Sequence, residues 1–301
     1  MWDGMAVSGV RHGAVVTAYF PGQPLIDLVA LLEQECEQVV IVDNTPGWGG
    51  FCSALASERV VVLQQGENRG LGSALNIGVR ALRDVGIEAA TLWDQDSLPA
   101  PGYMSRLAES TTGHASWPYV ISGGCHGTSA PYISGDDSEL EPVIRLITSG
   151  MFLPIATYNK VGPFREEFFV DMIDTEYSLR ARAAGVRLLR APGLVINHHL
   201  GDAAKSAHAL GFRTRTTGHP VWRQYWIARN TAILLHEFRT VDPKAIRSIR
   251  HDTFRWYARA IVGGPSRVST ALALVKGLHD GRTRTVDLRY GPPVTSVKER
   301  R

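Results

Sequence analysis

Short apolar runs alternate with stretches of helical periodicity over the first hundred residues. Ala14-Val15-Val16-Thr17-Ala18-Tyr19 predicts a buried strand, ended by the turn Pro21-Gly22. Leu25, Leu28, Val29, Leu31 and Leu32 then form one helical stripe, with Asp27 and Glu33 on other faces. Val39-Val40-Ile41-Val42 predicts a second strand closed by Asp43-Asn44, and Val60-Val61-Val62-Leu63 a third. After Gly66-Glu67-Asn68-Arg69-Gly70-Leu71-Gly72 a helix is expected to about Val85, and Ala89-Ala90-Thr91-Leu92-Trp93 is a fourth strand ending at Asp94-Gln95-Asp96. This alternation predicts an α/β fold on a largely parallel sheet with right-handed crossovers. Ligands of such sheets gather at the carboxyl ends of the strands. Each strand delivers polar residues there: Thr17 and Tyr19, Asp43 and Asn44, Asn68 and Arg69, Asp94 and Asp96.

Further along, residues 110–145 read as loop-rich with a short strand at Tyr119–Ser122. A second ordered stretch begins at Arg145–Gly150 and continues through a helix around 171–184 and strands at 186–190 and 194–197. Residues 203–220 read as a flexible, basic linker or lid. Helices follow at about 221–238, 243–262 and 266–279, with the last twenty residues loosely held.

Composition narrows the class. The chain has 301 residues, 44% hydrophobic and 20% charged, as in ordinary globular proteins. Its apolar runs, such as Val39–Val42 and Ala232–Leu235, fall far short of the roughly 20 residues that span a bilayer. The amino terminus lacks the basic and apolar regions of a secretory leader, so a cytoplasmic location is expected. Cys36, Cys52 and Cys125 are odd in number and form no CxxC pair, and read as buried thiols. The net charge of +3 hides an asymmetry. Residues 1–202 hold 13 lysines and arginines against 23 acids, whereas residues 203–301 hold 19 against 6. A basic last third predicts contact with something anionic.

Three motifs carry chemistry. Asp94-Gln95-Asp96 follows a strand, and two carboxylates one residue apart can hold a hard divalent cation, although polar turns of this kind are common. Asp171, Asp174 and Glu176 open a helix. Asp171 and Asp174 are spaced i, i+3 near the positive end of its dipole, and Glu176 is spaced to pair with Arg180. Capping explains one of these acids well and the cluster poorly, so one carboxylate facing inward can serve as a general base. His198-His199 ends a strand, where an imidazole can complete a metal shell. Gly70-Leu71-Gly72 lacks the GxGxxG spacing, which disfavours a dinucleotide-binding oxidoreductase.

The order VVTAY, IVDN, ENRGLGSALNIG, LWDQDS, ITSGMFL, VGPFREEFFVDMIDTEYSLRARAAG, PGLVINHHLG and Arg223…Arg229-Asn230 resembles family 2 glycosyltransferases, most closely a bacterial rhamnosyltransferase branch. The resemblance spans residues 13 to about 235 and is most specific over 161–201. It implies a GT-A fold, with one mixed, mostly parallel nucleotide-binding sheet flanked by helices. The catalytic domain would be 1–220 (nucleotide-sugar part 13–100, acceptor part 101–202, lid 203–220), followed by a basic helical extension at 221–301.

It also implies inverting transfer from a nucleoside-diphosphate sugar with Mg2+ or Mn2+, dTDP-L-rhamnose being the favoured donor. Thr17, Tyr19, Asp43 and Asn68 would hold the nucleoside, and Asp94 would face the ribose or the metal. Asp96 and His198 would be protein ligands to the metal, and Asp174 the base, with Asp171 and Glu176 next in line. Arg213, Arg215 or His219 in the lid would supply positive charge to the diphosphate. The acceptor would be a glycan, free or linked to polyprenyl diphosphate, in cell-envelope polysaccharide assembly; a homodimer is allowed. Alternatives are a UDP-galactofuranose or UDP-hexose donor, or a nucleotide-sugar-binding protein without turnover. The non-catalytic reading predicts loss of an acid, yet Asp94, Asp96 and Asp174 are all present.

Residues 243–262 mix Ile246, Ile249, Trp256, Tyr257 and Ile261 with Arg247, Arg250, Arg255 and Arg259. Such a helix can lie on the anionic inner face of the cell membrane or pack its apolar stripe on the protein, and amphipathicity fits both. Nucleic acid is not an expected partner, since no recognition motif accompanies the charge.

Overall fold

The computed structural model describes residues 10–47, 50–111, 119–126, 140–198, 206–209, 212–215, 219–263 and 266–292. The chain forms two compact units, Met1–Glu167 with Arg180–His199, and Phe168–Leu179 with Leu200–Arg301.

The first unit is built on a sheet of nine strands among the described residues: β1 (His12–Ala18), β2 (Gln38–Asp43), β3 (Val60–Gln64), β4 (Ala89–Asp94), β5 (Ser97–Pro99), β6 (Tyr119–His126), β7 (Glu141–Pro142), β8 (Met151–Pro154) and β9 (Arg187–His198). The order is β3-β2-β1-β4-β8-β6-β9-β5, with β7 against β9. The first four strands are wholly parallel. Beyond β4 the sheet is mixed, with only β6 and β9 parallel. Helices α1 (Gln23–Glu35), α2 (Gly50–Ser53), α3 (Leu71–Asp84), α4 (Tyr103–Thr111) and α5 (Ile155–Val161) accompany it, while α6 (Ile173–Ala183) is counted with the second unit up to Leu179. The stripe expected on α1 is the buried one, through Leu25, Leu28, Val29 and Leu32.

The glycines of the 66–78 motif serve packing. Gly70 caps α3 with φ 85°, a conformation that costs glycine nothing. A Cβ on Gly72 would stand 2.7 Å from the Arg165 carbonyl, and one on Gly78 would stand 2.3 Å from the Val15 side chain. Between them Asn76, fully buried, accepts from the Phe164 backbone and the Tyr158 hydroxyl and donates to the Phe164 carbonyl and to Glu166. The motif thus anchors the 158–166 segment to α3.

Three expectations change. Pro192-Gly193 does not separate two strands: β9 is continuous, and a register shift opposite Gly123/Gly124 absorbs the irregularity. Within the 203–220 segment, read as a flexible linker or lid, β10 (Ser206–Ala209) pairs antiparallel with β11 (Phe212–Arg215), regular structure that the sequence pattern did not announce. The last twenty residues are also held as far as they are described. A 3-10 turn at Leu288–Tyr290 brings Tyr290 face to face with Tyr225, 4.4 Å between centroids. Cys36 and Cys52 are free and buried, as expected; the Cys125 side chain lies outside the described residues.

The second unit centres on α7 (Val221–Glu237), with α8 (Pro243–Gly263) and α9 (Arg267–Thr283). Close packing of α9 on α7 rests on two glycines a turn apart. A Cβ at Gly277 would lie 2.4 Å from the Tyr225 carbonyl oxygen, and one at Gly281 would lie 2.3 Å from that of Arg229. On α8, Ile246 and Ile249 are buried and the Trp256 indole donates to Gln224. Its apolar stripe therefore packs within the unit, while Arg247, Arg250, Arg255 and Arg259 are exposed. No helix among the described residues is long and apolar enough to cross a membrane.

The helix contact gives a first prediction. Gly281→Ala forces backbone apart and should cost about 1–3 kcal/mol, as overpacking does. Urea unfolding should show a lowered midpoint with an unchanged slope; an unchanged midpoint would mean that α7 and α9 can separate freely.

Candidate active site

The register of the parallel strands levels their carboxyl ends. Thr17 pairs with Asp94, Ala18 with Asp43, and Asp43 with Gln64. Asp43 is buried and its Oδ1 accepts from the Thr45 amide at 2.9 Å, an Asx turn that fixes the carboxylate at the mouth of β2. Cys52 lies beside it, its thiol raised well above the usual range by burial and by the Asp43 charge. Asn68 closes a similar turn, its Oδ1 accepting from the Gly70 amide at 2.9 Å. The Thr17 hydroxyl points to the Trp93 carbonyl at 3.4 Å. The structure therefore brings Thr17, Tyr19, Asp43 and Asp94 to one edge of the sheet, with Asn68 on the loop after β3.

Asp94-Gln95-Asp96 is the connection from β4 to β5. Gln95 is the part that sequence reasoning missed. Its side-chain oxygen accepts from the Tyr19 amide at 2.7 Å, and its side-chain nitrogen donates to the Tyr19 carbonyl at 3.1 Å. It pins the turn to the end of β1 and holds the two acids to either side. Ser149, from the ITSG motif, does the same from the other flank. Its hydroxyl accepts from the Asp94 amide at 3.2 Å and donates to Ser97 at 2.6 Å. Both residues lie inside motifs that the sequence already singled out; their role is set by partners far along the chain.

The pairing of β5 with β9 places Ser97 opposite His198. The backbone of His198 is thus level with the residue that follows Asp96. Side-chain positions of His198, Arg213 and Arg215 lie outside the described residues. Among those described, no three His, Cys, Asp or Glu side chains converge. Asp94 at the end of β4 and Asp96 on the turn carry carboxylates, a residue type that could hold a hard divalent cation, and the backbone of His198 is in register with Ser97.

In the second unit, the acidic stretch differs from expectation. The helix begins at Ile173, so Asp171 lies ahead of it and does not share an i, i+3 face with Asp174. Phe169, Asp171 and Met172 have φ of 55°, 59° and 64°, left-handed positions that cost L-residues about 1–2 kcal/mol each. The Asp171 carboxylate is held by the Arg223 guanidinium through both Nε and Nη2. Asp174 stands in the first turn of α6 and is partly exposed, with Oδ1 accepting from the Thr175 amide at 2.6 Å. Glu176, in the same first turn, is fully buried. Arg180 donates to the carbonyls of Val161 and Pro163.

His219 needs correcting as a source of positive charge. Burial and the adjacent Arg223 lower its pKa from 6.5 to about 4, against a smaller opposing effect of Asp171. Its ring packs against Trp256, 5.1 Å between centroids. It is neutral at pH 7, and the cation beside it is Arg223.

With this geometry in view, the chain can be set beside known proteins. The sequence profile of "Glycosyl transferase family 2" matches residues 14–116. The chain is 26% identical over 249 residues to a dTDP-rhamnosyl transferase, RfbF, of Shigella flexneri, covering 74% of this chain and 79% of that protein. Among solved structures it resembles TarS of S. aureus, with TM-score 0.58 and 13% identity, over 93% of this chain and 50% of that one. It also resembles GalNAc-T7, solved with UDP, GalNAc and Mn2+, with TM-score 0.55 and 12% identity, over 82% of this chain and 55% of that one. The chain thus spans about half the length of each of these two structures. At such identities the likeness establishes the fold, which is GT-A.

The His219 environment gives a second prediction. Its folded pKa is depressed, so the unfolded chain binds the extra proton first, and stability falls as pH drops from about 6.5 towards 4. His219→Phe should flatten that part of the stability–pH curve relative to wild type. An imidazole NMR titration with a midpoint near 6.5 would overturn the assignment.

Proposed function

We propose that the chain is a family 2 glycosyltransferase and that it moves L-rhamnose from dTDP-L-rhamnose to a hydroxyl of a glycan acceptor, with inversion. The family 2 profile over residues 14–116 supports the class. The similarity to RfbF supports the donor. The observation that carries the site is the register that levels Thr17, Asp43 and Asp94 at one edge and sets His198 beside the Asp96 turn. In this reading Thr17, Tyr19, Asp43 and Asn68 bind the nucleoside, with Asp43 accepting from the pyrimidine ring N–H. Asp94, Asp96 and His198 would hold Mg2+ or Mn2+, which when bound would offset the charge of the diphosphate leaving group.

Asp174 takes the proton of the acceptor hydroxyl as that oxygen bonds to the anomeric carbon from the face opposite the diphosphate. The bond between that carbon and the diphosphate oxygen breaks, and its electron pair leaves with the nucleotide. One displacement inverts the centre and requires no enzyme nucleophile. Arg213 and Arg215, on the 206–215 hairpin, are the lid cations in this scheme. A polyprenyl-diphosphate-linked acceptor in cell-envelope polysaccharide assembly, met at the cytoplasmic face of the membrane, completes the reading. Membrane contact through residues 243–262 would fall to the exposed arginines of α8 and to Phe254, because Ile246 and Ile249 are used inside the unit.

Two experiments test the proposal. Nucleotide release across a panel of dTDP-L-rhamnose and UDP-sugars, with and without EDTA, should be fastest with dTDP-L-rhamnose and be lost on chelation. Release confined to UDP-galactofuranose or a UDP-hexose would overturn the donor, and release surviving EDTA would remove the roles of Asp96 and His198. Asp174→Asn should lower transfer by at least about 100-fold, the scale of lost general-base catalysis, while nucleotide-sugar affinity is kept. Near-wild-type turnover would sink the base assignment.

A further inference from the structure

We propose that Asn230 is a positioning residue that holds the left-handed 168–172 loop and thereby sets the attitude of Asp174; this rests on Asp174 being the base. One face of α7 engages that loop at three points spaced i, i+3 and i+7. Arg223 takes the Asp171 carboxylate, Trp226 stacks on Phe169 at 5.2 Å and 30°, and Asn230 takes the backbone. The Asn230 amide nitrogen donates to the carbonyls of Phe168 at 2.8 Å, Val170 at 2.9 Å and Asp171 at 3.0 Å. Two N–H groups serve three acceptors, so one is shared. The orientation of the amide is fixed from behind, because Arg229 Nη1 donates to Asn230 Oδ1 at 3.0 Å. Arg229 is itself buried, bonded to the Thr285 carbonyl and set over the Trp226 ring.

The chemistry explains why this position needs an amide donor. Around three side-chain-bearing residues with positive φ, the carbonyls of Phe168, Val170 and Asp171 turn towards the fully buried Asn230. Such a loop persists only where donors meet those carbonyls. Asp174 follows two residues after the last of the left-handed positions, so the direction in which α6 starts is set by this loop. Losing the clamp would leave α6 helical yet let its first turn wander, and catalysis is sensitive to shifts of about 1 Å in a reacting group.

The test uses nucleotide release from dTDP-L-rhamnose, with water as acceptor and Mn2+ present, or from the UDP-sugar that wild type uses if the donor panel selects one. Asn230→Asp keeps the shape and removes the donors. It should lower kcat about tenfold or more with donor KM within about twofold, the pattern of an interaction felt in the transition state. Met172→Gly supplies the rescue, since glycine takes a left-handed conformation without strain. In that background Asn230→Asp should cost no more than about threefold, because less strain is left for the clamp to hold. An unchanged kcat in Asn230→Asp, or an equal loss in both backgrounds, overturns the proposal. Should the single variant not fold, the double variant against Met172→Gly carries the comparison, with a tenfold loss there counting against it. Turnover surviving in Asp174→Asn overturns the base reading instead, whatever Asn230→Asp does.

Discussion

β1 is hydrogen-bonded on both sides to strands that run in its own direction, β2 on one flank and β4 on the other. A parallel ladder fixes not only which strands are neighbours but where each one stops relative to the next. Slipping one of these strands by a single residue would turn its buried side chains to the opposite face. Because consecutive residues such as Val15 and Val16 are both buried, both faces of these strands are packed and a slip would have to repack the two together, so the chemistry at the strand ends inherits that precision. In this register Asp43 is level with Ala18 and Asp94 with Thr17. Gln95 and Ser149 then convert register into side-chain placement, binding the turn between the two acids to β1 and to the segment before β8.

The second unit solves a different problem. Its acidic segment is not an extension of a regular element but a loop in an unfavourable backbone conformation, and it is stabilised by an ordered succession of contacts. Gly277 and Gly281 let α9 lie directly on the backbone of α7. The Tyr225 hydroxyl, donating to the buried Asp280 that also pairs with Lys276, ties the two helices with charge-assisted bonds. The Asp287 amide donates to the same hydroxyl, and Arg229 reaches the Thr285 carbonyl, so the segment after α9 is drawn in as well. α9 is packed on the Tyr225, Arg229 and Ala232 side of α7, and the loop is received on the other side, by Arg223, Trp226 and Asn230. Removing the glycines would therefore be felt at the loop through helix displacement, not through any contact they make with it.

Strands β1 to β4 were legible because each is an apolar run of four or more residues bounded by turn-forming residues. Helix α1 was legible because Leu25, Leu28, Val29 and Leu32 recur at helical spacing. β5 and β8 were not, since strands of three and four residues carry no periodicity of their own and exist only through distant partners. Pro192-Gly193 read as a break because both residues weaken an isolated strand, yet β6 pairs β9 on either side of them and the ladder continues past the irregularity. The acids at 171–176 were found by sequence, but their separation into a paired loop residue, a helix-start carboxylate and a buried glutamate was not. Chain direction there depends on three positive φ values that side-chain chemistry does not announce. His219 shows the same limit for charge: its sequence neighbours are unremarkable, and the burial and the arginine that neutralise it come from folding.

The basic excess of the last third is best understood by asking which of its cations are already committed. Arg223 holds Asp171, Lys276 holds Asp280, Arg284 pairs with Glu237, Arg289 with Asp287, and Arg229 is buried against Trp226. Each of these cations meets a carboxylate or a π-face of the same unit, which offsets its charge locally. On α8 the situation is reversed: Lys244, Arg247, Arg250, Arg255 and Arg259 are exposed, with only Asp252 among the exposed residues between them to oppose five positive charges. Exposed charges of one sign on one helix gain little from the protein itself and weaken in salt over a distance of about 8 Å at physiological ionic strength. Such an arrangement adds nothing to the fold, because the inward face of α8 is already held by Ile246, Ile249 and the Trp256–Gln224 bond. Among the described residues, the charge asymmetry seen in the sequence therefore includes two unlike groups, cations paired within the unit, of which Arg223 holds the 168–172 loop, and cations left facing outward on α8.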